Sequence, residues 1–127
     1  MIVVDASAAV LGLLDDGDAR RRLATERLAA PYLVDAEVLH TVGRQVRRGV
    51  IEAADAARAV HSWQRLGVQR FPVVGMLERV WELCHNVTAY DATYVTLAEE
   101  LDCPLLTADA RLAAAGGPRC TFTVVSH

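Results

Sequence analysis

Two aspartates in the chain come soon after short apolar runs of the kind that form buried parallel strands. Asp5 follows the run Ile-Val-Val at 2–4, and Asp109 lies just beyond the run Pro-Leu-Leu-Thr at 104–107. Open parallel sheets bind ligands beyond the carboxyl ends of their strands, so both carboxylates are candidates for chemistry. Taken singly, each is also explained as a turn residue, and Asp109 as the cap of a short helix that begins at Ala110.

Two further acidic residues lie near the starts of predicted helices. Asp91 shares a helix face with Tyr94 and the apolar stripe of helix 88–101, and a desolvated carboxylate there requires an N–H group, a cation or a metal. The alternative is a capping box in which Thr88 and Asp91 satisfy the helix N-terminus. Glu37 lies in the first turn of helix 34–48, where the helix dipole alone explains a negative charge.

The four acids predict more together than they do separately. If all of them converge at one edge of a parallel sheet, they cannot all stay ionised without cations. Oxygen ligands suit hard ions such as Mg²⁺ or Mn²⁺, whose typical chemistry is phosphoryl or phosphodiester transfer. Ser7 and Thr107, the hydroxyls beside Asp5 and Asp109, are candidates for orienting ligands or a metal-bound water.

The elements that must position these residues alternate between strands and helices. Apolar periodicity and turn residues predict strands at 2–4, 68–73, 104–107 and 121–125, and helices at 7–14, 18–30, 34–48, 52–66, 77–84, 88–101 and 110–115. Gly49 is placed to end helix 34–48 in the left-handed conformation, and Pro72 predicts an edge position for its strand. This order predicts an α/β fold of three layers with a mainly parallel sheet, in a single domain over residues 1–127.

The composition excludes several classes of protein. Hydrophobic residues make up 53% of the chain and charged residues 23%, which excludes a disordered protein. The formal net charge of −3 means that the molecule as a whole does not attract nucleic acid, so any such contact must be local. All 13 basic residues are arginines, and the absence of lysine removes every mechanism that needs one.

The cysteines and the apolar runs bear on location. Cys84, Cys103 and Cys120 are odd in number and lack C-x-x-C spacing, which indicates reduced residues with no disulfide partner and no zinc site. Charged residues interrupt the apolar runs well before the roughly 18 residues that a membrane span needs. Since no basic leader precedes the first strand, we expect a cytoplasmic protein that does not associate with a membrane.

Four segments of the chain form a specific set through their order and spacing. They are MIVVDAS at 1–7, APYLVDAE at 30–37, YDATYVTLAE at 90–99 and PLLTADARL at 104–112. With these segments the chain resembles the VapC toxins, the PIN-domain ribonucleases of bacterial toxin–antitoxin pairs, over essentially its full length. The resemblance implies a PIN-like three-layer α/β/α fold that forms a single PIN domain over residues 1–127.

The resemblance also implies roles for the acidic residues. The family's four acidic active-site positions fall on Asp5, Glu37, Asp91 and Asp109. Asp5, Asp91 and Asp109 are then the expected metal ligands, with Asp5 and Asp91 the first candidates for direct contact with Mg²⁺ or, alternatively, Mn²⁺. Asp35 lies close enough to Glu37 to compete for the middle position.

Hydroxyl and arginine residues complete the expected site. Ser7 and Thr107 match the family's supporting hydroxyl positions. Arg44 and Arg48 follow Glu37 on one face of its helix and are the first candidates for RNA contacts, because a guanidinium binds phosphate with two N–H groups and stacks on bases. A solvated helix face is the alternative interpretation of the two arginines.

The function implied by the resemblance is that of an Mg²⁺-dependent endoribonuclease toxin. Such an enzyme hydrolyses phosphodiester bonds in structured RNA, such as tRNA or rRNA, through in-line attack of an activated water. The family further implies a cognate VapB antitoxin that silences the enzyme, and a homodimer.

Two other classes of function compete with this interpretation. A response-regulator receiver domain also has strand-end acids that bind Mg²⁺, but it relies on a lysine, which this chain lacks. The stronger alternative is a catalytically weak PIN-like module that binds metal or another protein. A cleavage assay separates the enzyme from such a module.

Overall fold

The computed structural model describes residues 1–126, which form a five-stranded, entirely parallel sheet. Its strand order is β3-β2-β1-β4-β5, with β1 at Ile2–Val4, β2 at Leu28–Pro31, β3 at Gln69–Phe71, β4 at Leu105–Thr107 and β5 at Phe122–Val124. The helices are α1 (Ala6–Leu14), α2 (Asp18–Thr25), α3 (Val34–Arg47), α4 (Ala53–Arg65), α5 (Leu77–Leu83), α6 (Ala89–Leu101) and α7 (Ala110–Ala114), and a 3₁₀ turn at Val74–Met76 precedes α5. This architecture confirms the predicted three-layer α/β/α fold.

The direction of the crossovers divides the helices between two layers. The chain steps from β1 to β2 to β3 in one direction, so right-handed crossovers place α1 to α4 on one face of the sheet. It then returns from β3 past β1 to β4, which places α5 and α6 on the other face, where α6 packs against β1, β2 and β4. The chain therefore leaves β1 and β4 toward opposite faces, and such a switch point opens a crevice at the carboxyl ends of the two strands.

The predicted helix over 18–30 is wrong in its second half. Helix α2 ends at Thr25, and Leu28–Pro31 form β2, which lies between β1 and β3. Ile2 pairs with Leu28 and Ala29 with Gln69, so this strand is buried in the middle of one half of the sheet. A short run rich in alanine favours a helix by propensity, and only the pairing with two neighbouring strands makes it a strand.

The predicted left-handed helix terminus at Gly49 and the predicted edge position of the strand before Pro72 are confirmed. Gly49 has a φ of 72° directly after α3 and its cap, as expected for a left-handed helix terminus. Strand β3, which precedes Pro72, is an edge strand of the sheet. None of the helices within residues 1–126 is long and apolar enough to cross a membrane.

Candidate active site

Asp5 links the end of β1 to the start of α1. It is the N-cap residue of α1, and its Oδ1 accepts hydrogen bonds from the Ala8 backbone N–H at 3.0 Å and from the Ser7 hydroxyl at 2.6 Å. Aspartate is a preferred N-cap because its short side chain reaches the free N–H groups of the first turn. The residue is only 5% exposed, and this burial raises the pKa of its carboxyl despite the hydrogen bonds from Ser7, Thr107 and Ala8.

Ser7 and Thr107 connect the two strands that flank the crevice. The Ser7 hydroxyl donates to Asp5 and accepts the Ala108 backbone N–H at 2.9 Å, while its oxygen lies 3.3 Å from Thr107 Oγ1. Thr107 Oγ1 in turn accepts the Asp109 backbone N–H at 3.0 Å. The two hydroxyls therefore hold the end of β1 against the end of β4.

Asp109 lies at the end of β4 and caps α7. Its Oδ1 accepts from the backbone N–H groups of Arg111 at 2.9 Å and Leu112 at 3.4 Å. The capping role expected as an alternative is therefore present. It uses one carboxylate oxygen and is compatible with a second role for the other.

Asp91 lies in the first turn of α6, where its backbone takes part in helix capping and its carboxylate faces another acid. Thr88 is the N-cap of this helix, and its Oγ1 accepts the Asp91 backbone N–H at 3.1 Å, which is half of the predicted capping box. The carboxylate itself is half-buried. Burial and the negative charge of Asp109 both raise the pKa of Asp91, against the effect of a hydrogen bond from Thr88.

Glu37 is held by a residue that was not among the predicted site residues. The Tyr94 hydroxyl, on α6, donates a 2.6 Å hydrogen bond to Glu37 Oε1, on α3. Burial raises the pKa of Glu37, the Tyr94 hydrogen bond lowers it, and the charges of Asp91 and Asp5 raise it further. Tyr94 is part of the buried stripe that contains Asp91, and a buried tyrosine hydroxyl usually needs a partner, which was the available signal.

Electrostatic effects connect the four predicted acids in pairs, with Asp109 connected through Asp91. The charge of Asp91 raises the pKa of Asp5, the charges of Asp5 and Asp91 raise that of Glu37, and the charge of Asp109 raises that of Asp91. Each of these effects requires two carboxylates near one another in a poorly solvated region. The acids come from β1, α3, α6 and β4 and meet at the carboxyl edge of the sheet beside the switch point.

Asp35, the competing acid on α3, has a different environment. Its carboxylate binds the Arg70 guanidinium through two hydrogen bonds of 2.7 and 2.8 Å, and it accepts the Trp63 indole N–H at 2.8 Å. The Arg70 hydrogen bonds hold the pKa of Asp35 below its usual range. Because Asp35 has a complete set of protein partners that join α3, α4 and β3, Glu37 is the acid of this helix that belongs to the candidate site.

Arg44 and Arg48 lie farther from the acidic residues. Both side chains are exposed, Arg44 in the last turn of α3 and Arg48 at its C-cap. At 1.5 Å of rise per residue, they lie about 10 and 16 Å along the helix from Glu37. They form an exposed basic surface beside the site and do not belong to the acidic cluster, which consists of Asp5, Glu37, Asp91 and Asp109.

The residues of the acidic cluster suit a hard divalent cation. Together with the neighbouring Ser7 and Thr107, they offer only carboxylate and hydroxyl oxygens. Asp5, Glu37 and Asp91 have raised pKa values that a bound cation would lower. Within residues 1–126, no group of three His, Cys, Asp or Glu side chains is arranged so that it could hold a metal ion. Mg²⁺ keeps several of its waters and is usually bound by one or two carboxylates, so the donor set fits this ion without a closed cage.

Known proteins share the family and the fold of this chain. The PIN domain family matches residues 2–118. Ribonuclease VapC9 of Mycobacterium tuberculosis is 54% identical over 98% of both chains. Among solved structures, the fold is similar to M. tuberculosis VapC20, described as a Sarcin-Ricin loop cleaving toxin, with a TM-score of 0.64, 22% identity and coverage of 90% of this chain and 94% of the other. It is also similar to VapBC2 from Rickettsia felis bound to a DNA fragment from their promoter, with a TM-score of 0.70, 14% identity and coverage of 99% and 100%.

The family match covers most of the chain, and the similarity to VapC9 extends over nearly all of both sequences. The three-layer α/β/α fold is consistent with that similarity. The chain belongs to the PIN domain family and, within it, to the VapC ribonucleases.

Proposed function

We propose that the protein is an Mg²⁺-dependent endoribonuclease toxin that hydrolyses phosphodiester bonds in structured RNA, either tRNA or rRNA. The observation that carries this proposal is the position of four acids, drawn from four separate elements, at the carboxyl edge of the sheet beside the switch point. The names of its relatives support the substrate class, since VapC9 is a ribonuclease and VapC20 is described as a toxin that cleaves the Sarcin-Ricin loop.

The acids divide into ligands and a residue that orients water. Asp5 and Asp91 would hold the cation directly, and Asp109 would complete the site from the end of β4. A divalent cation in this position supplies Lewis acidity, which activates water and neutralises charge on the phosphodiester oxygens. Glu37 would accept a hydrogen bond from the attacking water, while Ser7 and Thr107 keep the Asp5 carboxylate in place.

RNA binding is assigned to the exposed arginines of α3. The net charge of −3 gives no general attraction for RNA, so the phosphate backbone of the RNA must bind to a local basic surface of the protein. Arg44 and Arg48 are exposed and lie on the helix that carries Glu37. Their guanidinium groups would bind RNA phosphates at some distance from the scissile bond.

The proposed partner is a VapB-type antitoxin. A groove of about 1080 Å³ runs between α1, α2, α3 and α4, and its apolar wall includes Leu14, Leu23 and Val50. The lining of the groove includes Ser7, which donates a hydrogen bond to Asp5, and Ala108, so an occupant would lie close to the acidic residues. VapBC2, a relative in fold, is described with both members of the toxin–antitoxin pair. A segment of the antitoxin bound in this groove would inhibit cleavage by covering the site.

A variant on the groove wall tests this assignment. Val50 is 66% exposed, so Val50→Glu places a charge in the groove without disturbing the core. We expect the cognate antitoxin to inhibit this variant at least tenfold less well, while RNA cleavage without antitoxin is unchanged. Equal inhibition of both proteins would exclude the groove as the antitoxin site.

A homodimer is also proposed, with an exposed apolar surface as its interface. Val74, Leu77 and Trp81 lie along the 3₁₀ turn and α5 and are 75%, 54% and 76% exposed. Helical spacing of three apolar side chains in water favours burial against another molecule. Light scattering should show a dimer for the native chain and a monomer for Trp81→Glu, whereas a monomeric native chain would contradict the proposal.

Cleavage of total bacterial RNA is the experiment that tests the enzymatic function. The purified, antitoxin-free protein is incubated with Mg²⁺ or EDTA, beside the variants Asp5→Asn and Asp91→Asn. We expect a few discrete products that disappear with EDTA and in both variants. Equal cleavage by the native chain and the variants would show contamination, and a folded native chain that cleaves no RNA would favour a PIN-like binding module.

A further inference from the structure

We propose that Tyr94 is a positioning residue that fixes the Glu37 carboxylate, so that one of its oxygens is held by the protein and the other faces the attacking water. The inference rests on the proposed function, because it concerns the step in which water is oriented. Its basis is the 2.6 Å hydrogen bond from the Tyr94 hydroxyl to Glu37 Oε1. Within residues 1–126, no other hydrogen bond to the Glu37 carboxylate is formed, so Oε2 is left as the acceptor.

The hydrogen bond joins the two helical layers above the edge of the sheet. Glu37 lies on α3, in the layer that follows β2, and Tyr94 lies on α6, in the layer that crosses from β3 to β4. Tyr94 is only 2% exposed, so packing holds its ring and places its hydroxyl at a defined point. A flexible glutamate is thereby attached to a rigid donor.

Glu37 needs this donor more than two of the other acids do. Asp5 and Asp109 are held at helix N-termini by backbone N–H groups, and their short side chains have few rotamers. Glu37 is not a capping residue of α3, because the N-cap is Leu33, and its longer side chain has more freedom to lose. Tyr94 is therefore the group that orders the Glu37 carboxylate.

The proton of Tyr94 stays on the phenol. Burial, the hydrogen bond to Glu37 and the charges of Glu37, Asp5 and Asp91 all raise the pKa of Tyr94 far above its usual value. The hydroxyl thus remains protonated at neutral pH and can donate to Glu37. This behaviour fits a positioning residue.

The test removes the hydroxyl and keeps the ring. Misplacing a reacting group by about 1 Å can cost on the order of a hundredfold in rate, so we expect Tyr94→Phe to lower kcat by about tenfold to a hundredfold. KM should stay within twofold, because the residue does not bind RNA. The matched control is Tyr90→Phe, since Tyr90 is a 65% exposed tyrosine next to Asp91, and this variant should leave kcat and KM unchanged.

A double-mutant cycle separates positioning from a general structural role. In a Glu37→Ala background, measured in single turnovers with excess enzyme, Tyr94→Phe should cause no further loss, because its partner is absent. A similar loss in both backgrounds, or an unchanged kcat for Tyr94→Phe in the native background, would overturn the positioning role of Tyr94. Either result would leave the proposed function intact. Failure of the native chain to cleave RNA would overturn the proposed function together with this inference.

Discussion

Ser7 Oγ lies 3.3 Å from Thr107 Oγ1, although 100 residues separate them in the chain. The pair joins the ends of β1 and β4, which leave the sheet toward opposite faces and carry Asp5 and Asp109. The strand ends that flank the crevice are therefore held together by this hydroxyl pair. The small side chains of Ser7 and Thr107 therefore help to set the positions of Asp5 and Asp109.

We expect Ser7→Ala to destabilise the protein by about 1–3 kcal/mol, because it leaves the partly buried Ala108 N–H without an acceptor. Chemical denaturation measures the change in the free energy of unfolding. Ser62→Ala, at an exposed position on α4, is the control and should change it by less than about 0.5 kcal/mol. Equal values for the two variants would show that the Ser7 bridge does not stabilise the strand ends.

Substitution of Asp35 should affect mainly stability, and substitution of Glu37 should affect mainly RNA cleavage. Asp35→Asn removes the charge that binds Arg70, so we expect a loss of stability of about 1–2 kcal/mol with RNA cleavage retained within threefold. Glu37→Gln keeps an oxygen that can accept from Tyr94 but loses the negative charge, and we expect cleavage to fall by at least a hundredfold. Cleavage rates and unfolding curves of both variants check this, and the reverse pattern would place Asp35 in the site.

The acidic cluster should make the metal-free protein less stable at neutral pH, where Glu37 is ionised, than it would be with a neutral side chain at position 37. The pKa of Glu37 is raised above its ordinary value of 4.5, so the folded state binds more protons than the unfolded state between 4.5 and the raised value. The contribution of this group to stability is therefore complete at low pH and is lost as the pH rises through the raised pKa.

In Glu37→Gln the side chain does not ionise, so the loss of stability that ionised Glu37 causes is absent. The variant should therefore melt at a higher temperature than the native chain at pH 7. The difference should shrink below pH 4.5, where both side chains are neutral. Thermal unfolding without divalent cations, followed over this pH range, measures it. A variant that is less stable than the native chain at pH 7 would show that Glu37 is not repelled by its neighbours.

The arginines of α3 should act on RNA binding through charge alone. In the inactive Asp5→Asn background, Arg44→Ala and Arg48→Ala should each weaken binding and lower the slope of log K against log salt by about 1. Arg21, which is ion-paired with Asp18 on α2, provides the control, and Arg21→Ala should leave both quantities unchanged. Identical slopes for all three variants would favour a solvated face for Arg44 and Arg48.

Much of the site was predictable because its acids occupy positions with a general meaning. Asp5 and Asp109 follow strands, Glu37 and Asp91 begin helices, and the carboxyl edge of a parallel sheet collects such residues whatever the details of packing. The same positions also favour helix capping. The structure shows that capping by Asp5 and Asp109 and membership of the acidic cluster occur together.

The missed features depend on partners that are distant in sequence. The hydrogen bond from Tyr94 to Glu37 spans 57 residues, and the contact of Asp35 with Trp63 spans 28. Periodicity shows which face of a helix is buried but not which side chain lies opposite it. The strand at Leu28–Pro31 was missed for the same reason, since only its pairing with β1 and β3 distinguishes it from the end of a helix.

The most direct test of the acidic cluster is Mn²⁺ binding, followed by the loss of the electron paramagnetic resonance signal of the free ion. This measurement does not depend on finding the correct RNA. We expect the native chain to bind Mn²⁺, Asp5→Asn and Asp91→Asn to bind it at least tenfold more weakly, and Asp35→Asn to bind it like the native chain. Binding that is unchanged in Asp5→Asn and Asp91→Asn, or weakened only in Asp35→Asn, would contradict the assignment of the metal site.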